Sequence, residues 1–249
     1  MTSFLSFSCI ALLFLFFPLP STSQTTFTCS RAAYYGSPEC SATPRGACGY
    51  GELGAYINGG DAAAVSRLYK GGAGCGACYQ VKCTQPHLCN DDGVKVVVTD
   101  YGQGHYTDFI LSARGFAKLA KPGMADELMA YGVAEVEYRR ISCQYPGYHL
   151  MFRITEHSNY PNYIAFIMIY QAGQKDIVAV ELWQEDCKEW RGMRRAYGGV
   201  WDMENPPKGP LNMRFLAKGE DDQNWVQVNG VIPYDWKAGV AYDSSIQLD

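Results

Sequence analysis

The segment Gly74–Cys83, GCGACYQVKC, decides how the first half of this chain is read, because the spacing Cys75-x-x-Cys78 admits three chemistries. A zinc site needs two further ligands at similar spacing, and the four histidines, His87, His105, His149 and His157, are scattered rather than paired. A redox pair normally opens a helix, whereas this one runs into the strand-like Tyr79–Cys83. Two half-cystines with different partners remain, so the segment predicts a disulfide-stapled β structure with no metal and no cofactor.

The other cysteines fit that reading. Eight of the ten lie between Cys29 and Cys143, Cys187 stands alone in the second half, and Cys9 falls in an apolar N-terminal run. That run, Phe4–Pro20, carries no charge, is short for a membrane span, and is followed by Ser21-Thr22-Ser23. It reads as a signal peptide, residues 1–23, which places the mature protein outside the cell from about Gln24. In an oxidising compartment eight clustered cysteines imply four disulfides, and the isolated Cys187 implies a free or buried thiol.

Charge is unevenly placed. Residues 24–145 hold eleven Lys/Arg and eleven Asp/Glu, so the whole net charge of −4 arises in the second half. Neither half has a basic stripe, which argues against nucleic acid, anionic membranes and acidic polysaccharides as partners. The 18 tyrosines and 5 tryptophans suit a neutral, hydrogen-bonding, partly apolar ligand such as a sugar.

Strand composition predicts Tyr79–Cys83, Val94–Thr99, Asp108–Ser112 and Val133–Cys143 as strands of a small barrel, residues 24–145. DAAAVSRLY, from Asp61, has the apolar spacing of a short helix, and SARGFAKLA, from Ser112, predicts another. CQYPGYH marks a boundary. Beyond it HLMFRITEH, YIAFIMIYQ, DIVAVELWQ and LNMRFLAKG alternate without helical period, predicting a β-sandwich over residues 148–245 packed closely on the barrel.

Two carboxylates bracket the glycine-rich TDYGQGHYTDFILS, Thr99–Ser112. Asp100 and Asp108 suggest a glycosidase pair, which needs one carboxyl protonated and the other ionised, roughly 5–10 Å apart. Equally, both can be loop-edge residues that accept backbone amides. His105 lacks an elbow-type serine or cysteine and reads as a loop histidine.

The motifs GACGYG, GCGACYQVKC, VVVTD, VEYRRISC and KEWRGMRRAYGGVW resemble the plant expansin superfamily, in order along nearly the whole mature chain. The resemblance implies an all-β molecule: a six-stranded double-psi β-barrel related to family-45 glycoside hydrolases, then an immunoglobulin-like, family-63 carbohydrate-binding module. In the barrel groove it implies roles for Tyr35, in AYYG, and for Asp100. The family's general-acid-like aspartate aligns with Ile110, which can neither donate nor accept a proton. Asp108 shares that face about 6–7 Å along the strand, so a carboxylate is still expected to face the groove, at the position of the family's histidine, but too far away to replace the acid, since proton transfer needs ~3 Å. This departure resembles the expansin-like B subfamily.

In the module the aromatic platform is expected on Tyr163, Ile164 and Tyr197, with Trp190 and Met193 as core and Cys187 as a buried thiol. The family pairing implies disulfides Cys48–Cys75, Cys78–Cys143 and Cys83–Cys89, leaving Cys29–Cys40 as a fourth. The implied function is a secreted, monomeric, non-hydrolytic plant cell-wall protein that binds cellulose, xyloglucan or other hemicelluloses and loosens the wall. Two alternatives stand beside it: a glycosidase or lytic transglycosylase working through Asp100 alone, and a barwin-like oligosaccharide-binding defence protein.

Overall fold

The computed structural model describes residues 26–36, 45–103 and 107–249. Residues 1–25, with the expected signal peptide, and Cys40 and His105 lie outside them. Strands β1 (Thr28–Tyr34), β2 (Ala62–Val65), β3 (Cys78–Cys83), β4 (Val94–Tyr101), β5 (Phe109–Leu111) and β6 (Val133–Ile141) close a barrel in the order β1-β5-β2-β4-β3-β6. The pairs β1–β5 and β2–β4 are parallel, so the chain crosses the barrel instead of meandering around it, as a double-psi barrel requires.

Strands β3, β4 and β6 lie where their branched and aromatic residues predict them. Strand β2 does not. Ala62–Val65 is buried along its whole length between β4 and β5, which corrects the helix expected from Asp61. The helical preference of an alanine run amounts to tenths of a kcal/mol per residue, and pairing on both edges outweighs it. Only a 3-10 turn, Arg67–Gly72, follows. The second predicted helix is present as Ala113–Ala117, capped by Ser112, whose Oγ accepts from the Gly115 amide at 3.2 Å.

Three disulfides staple this domain: Cys48–Cys75, Cys78–Cys143 and Cys83–Cys89. Cys75 and Cys78 thus have different partners, which removes them as a metal knuckle. Cys29 is exposed in β1 and is bridged to no described cysteine; the expected Cys29–Cys40 bridge falls outside the described residues.

The second domain is a sandwich. One sheet runs β10 (Glu189–Gly192), β9 (Asp176–Gln184), β13 (Leu211–Lys218), β14 (Gln223–Ile232); the other runs β11 (Arg194–Tyr197), β12 (Val200–Glu204), β8 (Tyr163–Ile169), β7 (Met151–Ile154), β15 (Ala241–Asp243). Phe152, Phe166, Leu182, Met213 and Phe215 fill the space between them. Met193 joins this core, but Trp190 does not. It lies half-buried on the outer face of the first sheet, 5.4 Å from Trp183 and beneath the Arg214 guanidinium at 4.6 Å. Cys187, expected to be buried, is exposed in the turn between β9 and β10.

Alternation along β8 explains how the domains join. Ile164, Phe166 and Met168 point into the sandwich, while Ala165, Ile167 and Ile169 pack with the barrel core. Gly199 N donates to Cys48 O at 3.0 Å, and Asp176 pairs with Lys70 at 2.8 Å and Arg140 at 2.9 Å across the junction.

Candidate functional site

Asp100 closes β4 beneath the loop Gly46-Ala47-Cys48. The Ala47 and Tyr101 amides donate to its Oδ1 at 2.6 and 2.8 Å. The loop can lie this close because a Cβ at Gly46 would stand 2.4 Å from the Thr99 carbonyl oxygen. Asp100 Oδ2 has no protein partner among the described residues. Tyr35 follows β1, half-buried, and its buried hydroxyl has no hydrogen-bond partner among the described residues, the Ala64 backbone approaching without hydrogen-bond geometry. Burial first, and the Asp100 charge second, push the phenol well above its usual range.

Asp108 is differently placed. It is buried just before β5, and its two oxygens are fully engaged: Arg67 donates through Nε and Nη2 at 3.2 and 2.9 Å, Ser30 at 2.8 Å and Ser66 at 3.0 Å. The Arg67 hydrogen bonds, helped by the serines and opposed by burial, hold the carboxyl below the usual range. It is an ionised structural anchor that ties β1, β2 and β5 together, which corrects the expectation of a carboxylate free to face the groove. Ile110 lies beside it, against Ala64 and Gly102.

Aromatic rings continue from Asp100, Tyr101 and Tyr197 exposed and Tyr69 and Tyr163 half-buried. Tyr101 is 44% exposed and meets Tyr69 at 5.1 Å. The Tyr69 hydroxyl donates to Ala47 O at 3.2 Å, which fixes the ring beside the junction. Across the junction Tyr197, 51% exposed, rests on Gly49. Tyr163, on the same sheet face, donates its hydroxyl to Asp202 at 2.9 Å. Asp202 is buried and held bidentately by Arg194, whose hydrogen bonds keep its carboxyl below the usual range.

Of the three residues expected to form the platform, two share this face. Ile164 is fully buried in the inter-sheet core, because neighbours in a strand point to opposite faces. Tyr69 and Tyr101 are rings that sequence reasoning does not single out. Tyr101 adjoins Asp100 in the glycine-rich stretch, while Tyr69 sits in the segment whose composition predicts helix. No group of three His, Cys, Asp or Glu among the described residues is disposed to hold a metal ion, and no described helix is long and apolar enough to cross a membrane.

A family model described as Expansin C-terminal domain matches residues 150–233, and one described as Lytic transglycolase matches residues 61–138. The chain is 54% identical over 223 residues to Expansin-like B1 of Arabidopsis thaliana, covering 89% of each chain. It is 44% identical to Expansin-like B1 of Oryza sativa subsp. japonica over 92% of this chain and 91% of that one. Among solved structures, a point mutant of Clavibacter michiganensis expansin, in complex with cellohexaose, superposes with a TM-score of 0.67 at 20% identity over 89% of this chain and 98% of that one. At that identity the likeness bears on fold alone.

Proposed function

Because this chain belongs to the plant expansin family, on its expansin-like B branch, we propose that it is a secreted wall protein that holds cellulose or hemicellulose chains without cutting them. The observation that carries this reading is the run of rings Tyr101, Tyr69, Tyr197 and Tyr163, which crosses the domain junction beside Asp100. Sugar rings present apolar C–H faces to such rings and hydroxyls to groups such as Asp100 and the tyrosine phenols. Binding of this kind competes with contacts between wall polymers, which would let them slip.

Hydrolysis needs a protonated acid opposite a base. Asp108 is held ionised by Arg67, and Ile110 occupies the remaining position on that face, so neither serves as acid. One observation favours a second reading: Asp100 Oδ2, without a partner among the described residues, leaves a single carboxylate oxygen open beside the rings. A pull-down on cellulose and xyloglucan-coated cellulose, with reducing ends counted in the same tubes, separates the two. We expect Tyr163→Ala/Tyr197→Ala to release the protein from the polymer, with no new reducing ends from wild type. Reducing ends that appear with wild type and vanish in Asp100→Asn would establish the second reading instead.

A further inference from the structure

We propose that a recess at the end of the sandwich beyond Tyr163 is a binding site for a single neutral side-branch sugar, a pentopyranose carried on a β-linked glucan. The recess, about 270 Å³, lies between the rings of Tyr160 and Tyr234 and the Pro206-Pro207 pair, with Trp236 in its wall. Tyr160 and Tyr234 are 43% and 63% exposed, whereas Trp236 is buried and meets Tyr160 edge to face at 5.2 Å. Two exposed aromatic rings around an apolar recess are a feature that soluble proteins keep where something binds.

Its size selects the occupant. Sites for drug-sized ligands span roughly 300–1,000 Å³, so this recess suits one sugar ring and not a length of chain. Its walls are ring and proline carbon, and polar groups are few. Asn162 and Asn205 supply amide donors and acceptors for hydroxyls, and no carboxylate lines it. Lys208 in the wall and Asp235, close enough to Tyr160 for its charge to be felt there, carry opposite charges, so the surroundings of the recess have no net charge, which favours an uncharged sugar. A pentopyranose, lacking the exocyclic hydroxymethyl group, presents the least polar surface to such walls.

Its place selects the source. Asn162 directly precedes Tyr163, Asn205 directly follows Glu204, and Tyr163 and Glu204 are partners across β8 and β12. Asn205 N donates to Asn162 O at 2.7 Å, so the recess lies at the end of the strands whose barrel-side face carries Tyr163. A glucan lying on Tyr163 and Tyr197 would bring a branch to it. The inference therefore rests on the reading of Tyr163 and Tyr197 as the main-chain platform.

The test compares linear cellohexaose with a xylosylated cello-oligosaccharide of equal backbone length, titrated calorimetrically into the full chain. Wild type should prefer the branched ligand at least fivefold. Tyr234→Ala, at the most exposed wall, should abolish that preference while leaving cellohexaose affinity unchanged; Tyr160→Ala should do the same if its circular dichroism remains native. Saturation-transfer NMR should place the strongest contacts of the branched ligand on its xylose protons. Equal wild-type affinities, no affinity for the branched ligand, or equal losses for both ligands in Tyr234→Ala would overturn the proposal. Tyr163→Ala/Tyr197→Ala should weaken both ligands. If it weakens neither while Tyr234→Ala still removes the branch preference, the platform reading fails and the recess stands.

Discussion

Asp108 and Asp202 are built alike: each is a buried carboxylate closed bidentately by an arginine whose own side chain is mostly exposed. For Asp108 the folded pKa lies below the unfolded value, so its contribution to stability is present above that value, about 4. It is lost as the pH falls through the lower folded value. Asp108→Asn should therefore lower the urea midpoint at pH 7, by about 1–3 kcal/mol in stability, and should make the decline at pH values below about 4 shallower than in wild type. For Asp202 the consequence is functional, because it orients Tyr163. Tyr163→Phe, which keeps the ring and removes the bond to Asp202, should weaken binding to cellulose in a depletion assay less than Tyr163→Ala does, by about twofold against about fivefold, a whole ring contributing about 1 kcal/mol. At this scale the sequence is a partial guide. Motif picks out Tyr163 and Tyr197, but carrying a third platform position onto Ile164 ignores the period of two that turns it inward. Asp108 can be recognised as a groove-edge carboxylate, but its clamp draws on Ser30, Ser66 and Arg67 from distant segments, which no local spacing reveals.

Among the elements, β3, β4 and β6 are legible because branched residues and cysteines mark them. Strand β2 is hidden by its composition, since alanine favours a helix in isolation and only the barrel makes Ala62–Val65 a strand. Small residues are required there: Ala63 is fully buried in the main core cluster, flanked by β4 and β5. Ala63→Leu should overpack the barrel and cost about 1–3 kcal/mol, read as a lower urea midpoint with unchanged slope; a helix on the barrel surface would have tolerated it. The Cys78–Cys143 bridge joins the start of β3 to the segment leading into the second domain and closes a separation of 65 residues. In the loop-entropy account its removal in Cys78→Ser/Cys143→Ser costs about 4 kcal/mol. Thermal denaturation should show that loss, and it should exceed the loss from removing the short Cys83–Cys89 bridge.

Over the whole molecule the decisive contact is backbone against backbone. A Cβ at Gly72, where φ is +98°, would stand 2.1 Å from the Gly198 carbonyl oxygen, and Gly198 in turn lies against Ala47 and Cys48. No side chain can be inserted without moving one domain from the other. The same junction sets Tyr69 near Gly198, the residue that follows Tyr197, so the continuity of the ring surface depends on it. Neither sequence composition nor motif spacing exposes this contact, since each glycine has a local role in a turn and their meeting belongs to the assembled chain. Gly72→Ala should leave the inter-sheet core intact, because Ile164 and Phe166 point away from the barrel, yet it should open the cluster that joins Ile167 and Val200 to the barrel. Three readings should move together: the radius of gyration in solution rises, the single unfolding transition broadens or splits, and affinity for long glucans falls more than affinity for a trisaccharide that spans one domain. A variant that loses long-glucan affinity while its scattering profile stays that of wild type would show that the ring surface is not made continuous by the glycine contact.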